Sequence, residues 1–340
     1  MTPSESDRPR LTSRDVAELA GVDRSSVSLV INDPDTRRVG ADAKRRIREA
    51  VETLGYVPHT AARQLRLGAS RFVVMSFPSW PLGPTFDRFI EGAAEAAEEA
   101  GLVFLMHGSA RSSGPSAAAA WAELRPRVFI GERNRVDASG VDLIRRSGAD
   151  RVLLLGDDDA DVVAGATLVR THLTEPGRIA AEHLMGRGYE RFAVIAPSDP
   201  RLAFIADARV DGFVERATSP DAAVSVFRVD ETDDDLRAAL SAIEALGPSV
   251  GVFVYSDRYA IPLLAAARER GLDVPGRIGV VGVDNTLPAL STVPALTSVW
   301  YDPKAFGRAL VSHGVGADER DPPGPAYVLE ARQSTARPSS

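Results

Sequence analysis

Residues 12–32, TSRDVAELAGVDRSSVSLVIN, predict two short helices around a glycine turn. Thr12 can accept a backbone N–H at a helix start while Asp15, three positions on, returns the bond, which makes a capping box. Val16, Leu19 and Ala20 then fall on one inward face. Gly21 stands where the chain must turn. Asp23 can cap a second helix, whose Val27, Val30 and Ile31 share a side at helical spacing. The opposite side presents Arg24, Ser25 and Ser28. Short hydroxyls and a guanidinium fork in the first turn of a second helix suit the acceptor-rich floor of a DNA major groove. The pattern therefore reads as a helix-turn-helix; the alternative is a small helical subdomain with a solvated polar face.

The chain continues ADAKRRIREAVETLGYVPHTAARQLRLGAS over residues 41–70. Ile47, Val51 and Leu54 predict the inner face of a third helix, with Lys44, Arg45, Arg46 and Arg48 outward. Gly55 and Pro58 end it, and His59 to Leu67 forms a short helical pattern closed by Gly68. Together the segments resemble the headpiece of the lactose/galactose-repressor (LacI) family of bacterial transcription regulators. The resemblance rests on Asp15-Val16-Ala17, Ala20-Gly21-Val22, Val27-Ser28, Asn32, Leu54-Gly55-Tyr56, Pro58, Ala62-Arg63, Leu65-Arg66 and Gly68. It implies DNA contacts from Thr12, Ser13, Arg24, Ser25, Ser26, Ser28, Asn32 and Arg38. Arg24 and Ser25 are expected on bases, and Ser28, Arg37 and Arg38 on phosphates. It also implies that residues 59–67 are a hinge helix contributing Arg63, Leu65 and Arg66, with Leu65 a minor-groove wedge or, alternatively, a packing residue. A nine-residue helix with little apolar surface is marginal in water until a partner supplies contacts. His59 and Leu29 depart from the residues many family members carry there.

Charge divides the chain in the same way. Residues 1–70 hold 12 Lys and Arg against 10 Asp and Glu, whereas the remainder holds 28 against 37, within a net charge of −7. The basic end is the expected DNA end, with affinity falling steeply as salt rises. At 340 residues, 44% hydrophobic and 26% charged, the composition is that of globular domains. No segment approaches the roughly 20 apolar residues of a membrane span. MTPSESDRPR lacks the apolar core of a signal peptide, and there is no cysteine. These features predict a cytoplasmic protein without disulfides or thiolate metal sites.

From Arg71 the text alternates short apolar runs (RFVVMSF, LVFLMH, RVFIG, RVLLLGD) with helical stretches, and restarts after residue 172 with RFAVIAP, VSVFRV, VGVFVYSD and RIGVVGVD. Such alternation predicts parallel strands with crossover helices in two similar α/β lobes. The arrangement resembles the periplasmic-binding-protein-like core that follows the headpiece in the LacI family. The expected architecture is thus multidomain: a small all-α headpiece (11–58), a hinge (59–69) and a core (70–335) of two doubly wound lobes. The first lobe is expected to take about 70–170 and 295–325, and the second about 173–292 and 326–335, with crossings near 168–174, 292–299 and 322–328. Residues 1–10 and 336–340 are expected to be tails.

Ligand chemistry in such a core belongs at the carboxyl ends of strands. The resemblance implies effector contacts from Arg209 in an RxxGF pattern, Asp257 after VGVFVYS, Asp284 in GVDN, and a ring at Phe86, with Trp80 a further candidate. Each has a structural alternative. Arg209 and Asp284 could pair within a lobe, Asp257 could cap a helix, and Phe86 could be core. An arginine with two aspartates suits a ligand rich in hydroxyls or amides. A sugar is the leading expectation, with a nucleoside or no ligand the alternatives.

Enzyme and solute-binding readings compete. GxGxxG, GxxxxGK[ST] and GxSxG are missing, and the five histidines lack ligand spacing. The run Asp230–Asp235 reads as a helix cap rather than a cation site. No catalytic residue, metal or cofactor is expected. The sequence predicts a regulator, most simply a repressor, that binds a pseudo-palindromic operator as a homodimer, with a tetramer left open.

Overall fold

Thr12 builds the first helix as its spacing predicts. In the computed structural model, which describes residues 11–32, 36–56, 70–157, 162–217, 223–316, 322 and 324–336, the Arg14 N–H reaches Thr12 Oγ1 at 3.2 Å. Asp15 Oδ2 takes the Thr12 N–H at 2.6 Å. Helix α1 (Ser13–Ala20) ends at Gly21, whose φ of +60° is the left-handed cap that glycine adopts without strain. Helices α2 (Arg24–Asn32) and α3 (Ala41–Leu54) complete the unit. Its core is Val16, Ala17, Ala20, Val27, Val30, Ile47 and Ala50, closed by Tyr56.

Two headpiece expectations change. Leu19 is 53% exposed, because the inward stripe runs through Val16, Ala17 and Ala20 and Leu19 lies off it. Arg46 does not simply face solvent: its Nη1 donates to the Ala20 carbonyl at 2.8 Å, satisfying an orphan acceptor at the end of α1. The hinge, with Arg63, Leu65 and Arg66, lies outside the described residues, as does the Asn32 side chain.

Beyond Arg71 the chain forms a separate unit. Its first sheet comprises β1 (Phe72–Ser76), β2 (Val103–His107), β3 (Val128–Glu132), β4 (Arg151–Gly156) and β5 (Thr167–Arg170), ordered β2-β1-β3-β4-β5. All its pairings are parallel. The second comprises β6 (Arg191–Pro197), β7 (Val224–Val229), β8 (Val250–Val254), β9 (Ile278–Val283), β10 (Thr297–Trp300) and β11 (Val328–Glu330). Its order is β11-β10-β9-β8-β6-β7, with β11 alone antiparallel. Strands such as β3 and β9 are buried along their whole length, as strands covered by helices on both faces must be.

The second crossing falls later than 292–299. The stretch from Leu296 to Val299 is fully buried, and β10 pairs with β9 through Val299 and Val283. The chain therefore leaves the second lobe only at Tyr301–Asp302, before α12 (Pro303–Val315) packs on α4 (Pro84–Glu99) of the first.

Each lobe joins two helices through facing glycines. In the first, a Cβ on Gly92 would lie 2.0 Å from the Lys304 carbonyl and one on Gly307 2.1 Å from that of Phe89. In the second, α7 (Glu175–Gly186) meets α8 (Ala203–Ala217) where Gly177 faces the Arg209 carbonyl at 2.0 Å and Gly212 the Thr174 carbonyl at 2.1 Å. Only glycine permits backbones this close. The RVDGF pattern thus sets the height of Arg209 in its lobe. No helix among the described residues is long and apolar enough to cross a membrane.

Candidate functional site

On the headpiece, the first turn of α2 presents Arg24 and Ser25 to solvent, with Ser26 and Ser28 half-buried. Arg24 Nε donates to Ser13 Oγ at 3.0 Å, which ties the start of α2 to the start of α1 and leaves the rest of the fork outward. Thr12 is committed to its cap: its hydroxyl also donates to Asp15 at 2.8 Å. Hydrogen bonds from Thr12 hold the Asp15 carboxyl below its ordinary pKa. Arg37 and Arg38 are exposed after α2. The basic face of α3 is largely neutralised within the helix, since Arg45 bridges Asp42 at 2.6 Å and Glu49 at 3.0 Å.

In the core, a cleft of about 1180 Å³ opens between the lobes. Arg209, only 8% exposed, enters it from α8. Its Nη1 donates to the Tyr255 carbonyl at 2.6 Å, and its guanidinium carbon lies 4.8 Å over the Tyr255 ring. Nη2 faces Asp284 Oδ1 at 3.9 Å, and Nε has no hydrogen-bond partner among the described residues. A buried guanidinium with an unused donor is a binding group in waiting. Asp284 follows β9 with φ of +100°, and Asn285 with φ of +50°. This left-handed pair is strained for residues with side chains. Three contacts hold it: Asp284 N–H to the Val299 carbonyl at 2.8 Å, Asn285 N–H to Ser298 Oγ at 3.0 Å, and Arg332 Nη2 to Asn285 Oδ1 at 2.5 Å. Burial pushes the Asp284 carboxyl up, against the pull of Arg209. Burial likewise lifts Tyr327 to about 12 and raises Tyr301, so both phenols beside the pair stay neutral.

Asp257, expected at the cleft, turns away from it. Its fully buried carboxylate accepts from Thr286 N at 2.7 Å, Thr286 Oγ1 at 3.1 Å and Ser298 Oγ at 2.8 Å. It thereby braces the loop that carries Asp284, while its neighbour Ser256 lines the cleft. Burial outweighs these bonds and pushes the Asp257 carboxyl up to about 6. Phe86 lines the cleft, and its ring also stacks on the core residue Phe89 at 5.8 Å.

Sequence reasoning missed Arg332, Ser256 and Asp157. Asp157 receives the backbone N–H groups of Thr171, His172 and Leu173 at 2.6–2.7 Å and so secures the first crossing. No local signal marks Asp157 or Arg332, because each acts on a segment distant in sequence, and Ser256 reaches the cleft only through the turn that carries Asp257 away from it. The acidic run caps as read: Thr232 Oγ1 takes the Asp235 N–H at 3.2 Å, with Asp233, Asp234 and Asp235 in the first turn of α9 (Asp233–Ala245).

Comparison with known proteins agrees with both units. Residues 12–59 match the family of bacterial regulatory proteins, lacI family, and residues 181–335 match a periplasmic binding protein-like domain. The HTH-type transcriptional repressor PurR of Vibrio atlanticus is 24% identical over 311 residues, covering 87% of this chain and 89% of the relative. The Lac repressor dimer bound to operator and the anti-inducer ONPF superposes with a TM-score of 0.74 at 22% identity, covering 97% of this chain and all of that one. The transcriptional regulator CelR in complex with cellobiose gives 0.59 at 24% identity, covering 96% and 100%. These relatives are transcriptional regulators rather than enzymes. A lacI-type helix-turn-helix at residues 12–59 is thus followed in this chain by a periplasmic-binding-protein-like domain at residues 181–335, an order in which the chain is similar over most of its length to DNA-binding transcriptional repressors of the LacI type.

Proposed function

We propose that this protein is a repressor that binds a pseudo-palindromic operator as a homodimer and is switched by a small polar metabolite, a sugar foremost, held in the cleft. The observation that carries the reading is the pairing, in one chain, of an exposed Arg24–Ser25 face on a helix-turn-helix with a buried Arg209 facing Asp284 in the core cleft. One headpiece reads only a few base pairs, so useful affinity calls for two on a two-fold site. Arg24 and Ser25 read bases, Ser13, Ser28 and Arg38 position phosphates, and Leu65 wedges the minor groove between the half-sites. Leu287, Leu290 and Val293, 78%, 50% and 67% exposed, support a second copy as partner for the second lobe. The cellobiose complex of a regulator of the same fold supports a sugar.

Selection of bound sequences from a random double-stranded DNA pool, at controlled salt with the full-length chain, tests the reading. Enrichment of a pseudo-palindrome with a central pyrimidine–purine step is expected. Enrichment of a single, non-repeated half-site would overturn the dimer.

A further inference from the structure

Both lobes line the cleft with polar and apolar groups, but the Arg209–Asp284 pair belongs to the second lobe, while the loop after β1 and the start of α4 in the first lobe bring Trp80, Leu82 and Phe86 to the same cleft. The space between, about 1180 Å³, exceeds the ~300–1,000 Å³ of ordinary small-molecule sites and leaves room for more than one ring. Trp80 is half-buried, in the loop after β1. Its ring lies 5.7 Å from Phe204 of α8, an aromatic contact made across the cleft, and 6.4 Å from Phe86 at 88°.

The backbone that carries Trp80 is clamped from beneath. Glu132, 5% exposed at the end of β3, accepts the Ser79 N–H at 2.7 Å and the Ser79 hydroxyl as well. Arg135, 7% exposed, pairs with Glu132 at 3.0 Å. It also donates to the carbonyls of Phe77 at 2.6 Å, Ser109 at 2.8 Å and Ser112. A buried ion pair gains little stability over apolar packing, so its use is better sought in what it fixes in place. Here it fixes both residues that precede Pro78 and Trp80 in the loop.

We propose that Trp80 is a specificity-determining residue. It takes the flat, apolar part of an amphipathic effector whose polar end lies on Arg209 and Asp284, and the Glu132–Arg135 pair is its positioning device. The proposal rests on the reading of the cleft as an effector site. The effector class is then a sugar or comparable polar group carrying an aromatic or similarly flat substituent, rather than a bare monosaccharide. Stacking such a group on an indole is worth about tenfold in affinity or more.

Calorimetry on the full-length chain with matched probes tests it: free hexoses and pentoses against their p-nitrophenyl glycosides, and ribose against adenosine and guanosine. At least one ring-bearing probe is expected to bind about tenfold tighter than its parent sugar. Trp80→Ala should reduce that preference to within about twofold, while Trp80→Phe keeps most of it. The difference in emission between the parent and Trp80→Phe isolates the Trp80 signal. That signal should change on binding, lose the change in Glu132→Ala and regain part of it in Glu132→Gln, which a merely stabilising pair would not produce. Equal binding of parent sugars and ring-bearing probes, a preference that survives Trp80→Ala, or no binding by any ring-bearing probe each overturns the proposal. Loss of parent-sugar binding in Asp284→Asn reads the effector site separately, so that reading can stand where this one fails.

Discussion

Asp257 and Asp284 each follow a buried strand of the second sheet, yet one braces and the other faces the cleft. The sequence shows both aspartates at strand ends. A helix start at Asp257 is among the readings the sequence allows, but nothing in it shows that the carboxylate turns beneath the Thr286 loop, against Gly282, where a Cβ would stand 2.4 Å from Oδ1. That choice depends on contacts 25 to 41 positions away, beyond any local pattern. Asp257→Ala should leave Thr286 N–H unsatisfied and lower stability by about 1–3 kcal/mol, read as a fall in thermal midpoint. Asp257→Asn keeps an acceptor for Thr286 and should lose far less. The fold binds the Asp257 proton more tightly than the unfolded chain does, since its pKa of about 6 stands above the ordinary 3.8. Its contribution is therefore full below pH 4 and is lost as pH climbs through 6. Denaturation across pH 4–7 should move the balance toward the Asn variant as pH rises, and parallel curves would refute the burial argument. His183 has the opposite sign. Burial and the Arg187 charge lower it to about 4, and its Nε2 sits 2.8 Å from Thr335 Oγ1. Stability should fall as pH drops from 6.5 toward 4, and His183→Gln should flatten that acid limb.

At the scale of elements, the fully buried strands and amphipathic helices were legible because burial on both faces writes an unbroken apolar run. The capping box and the left-handed glycine of α1 were legible for the same reason: each is a local signal. The four residues of β10 were not, since Thr297 and Ser298 are polar yet fully buried. Their hydroxyls are satisfied by Thr335 at 2.8 Å and Asp257 at 2.8 Å, partners no local window contains. Helix crossings were equally hidden, because a glycine in a helix reads as a weakness until its neighbour is known. Gly212→Ala should force α7 and α8 apart at the Thr174 carbonyl, costing about 1–3 kcal/mol and displacing Arg209. Gly186, at the exposed end of α7 with nothing within 4 Å of its Cβ position, is the matched control. Gly186→Ala should be neutral or gain up to about 1 kcal/mol. Urea denaturation of both variants checks the contrast, and similar effects at the two sites would show that close approach is not what Gly212 provides.

For the whole molecule, the division of labour between headpiece and core predicts that two kinds of damage separate. Arg24→Ala removes an exposed guanidinium, proposed above to read bases, without touching the apolar core of the headpiece. It should weaken binding to the selected operator about tenfold or more while ligand affinity of the core stays unchanged. Asp284→Asn should do the reverse. Asparagine tolerates the left-handed backbone at this position, so the turn braced by Arg332 and Ser298 survives, and only the charge facing Arg209 is lost. Operator binding should then persist, and the response to whichever probe releases or recruits the protein should disappear. The size of any response is bounded by how differently that probe binds the two states of the core. Fluorescence anisotropy on labelled operator, with calorimetry on the same preparations, measures both arms. If Asp284→Asn instead abolishes operator binding in the absence of any ligand, the Arg209–Asp284 pair holds the core in its DNA-competent form. The cleft would then act through that pair's own integrity rather than through the ligand placed on it.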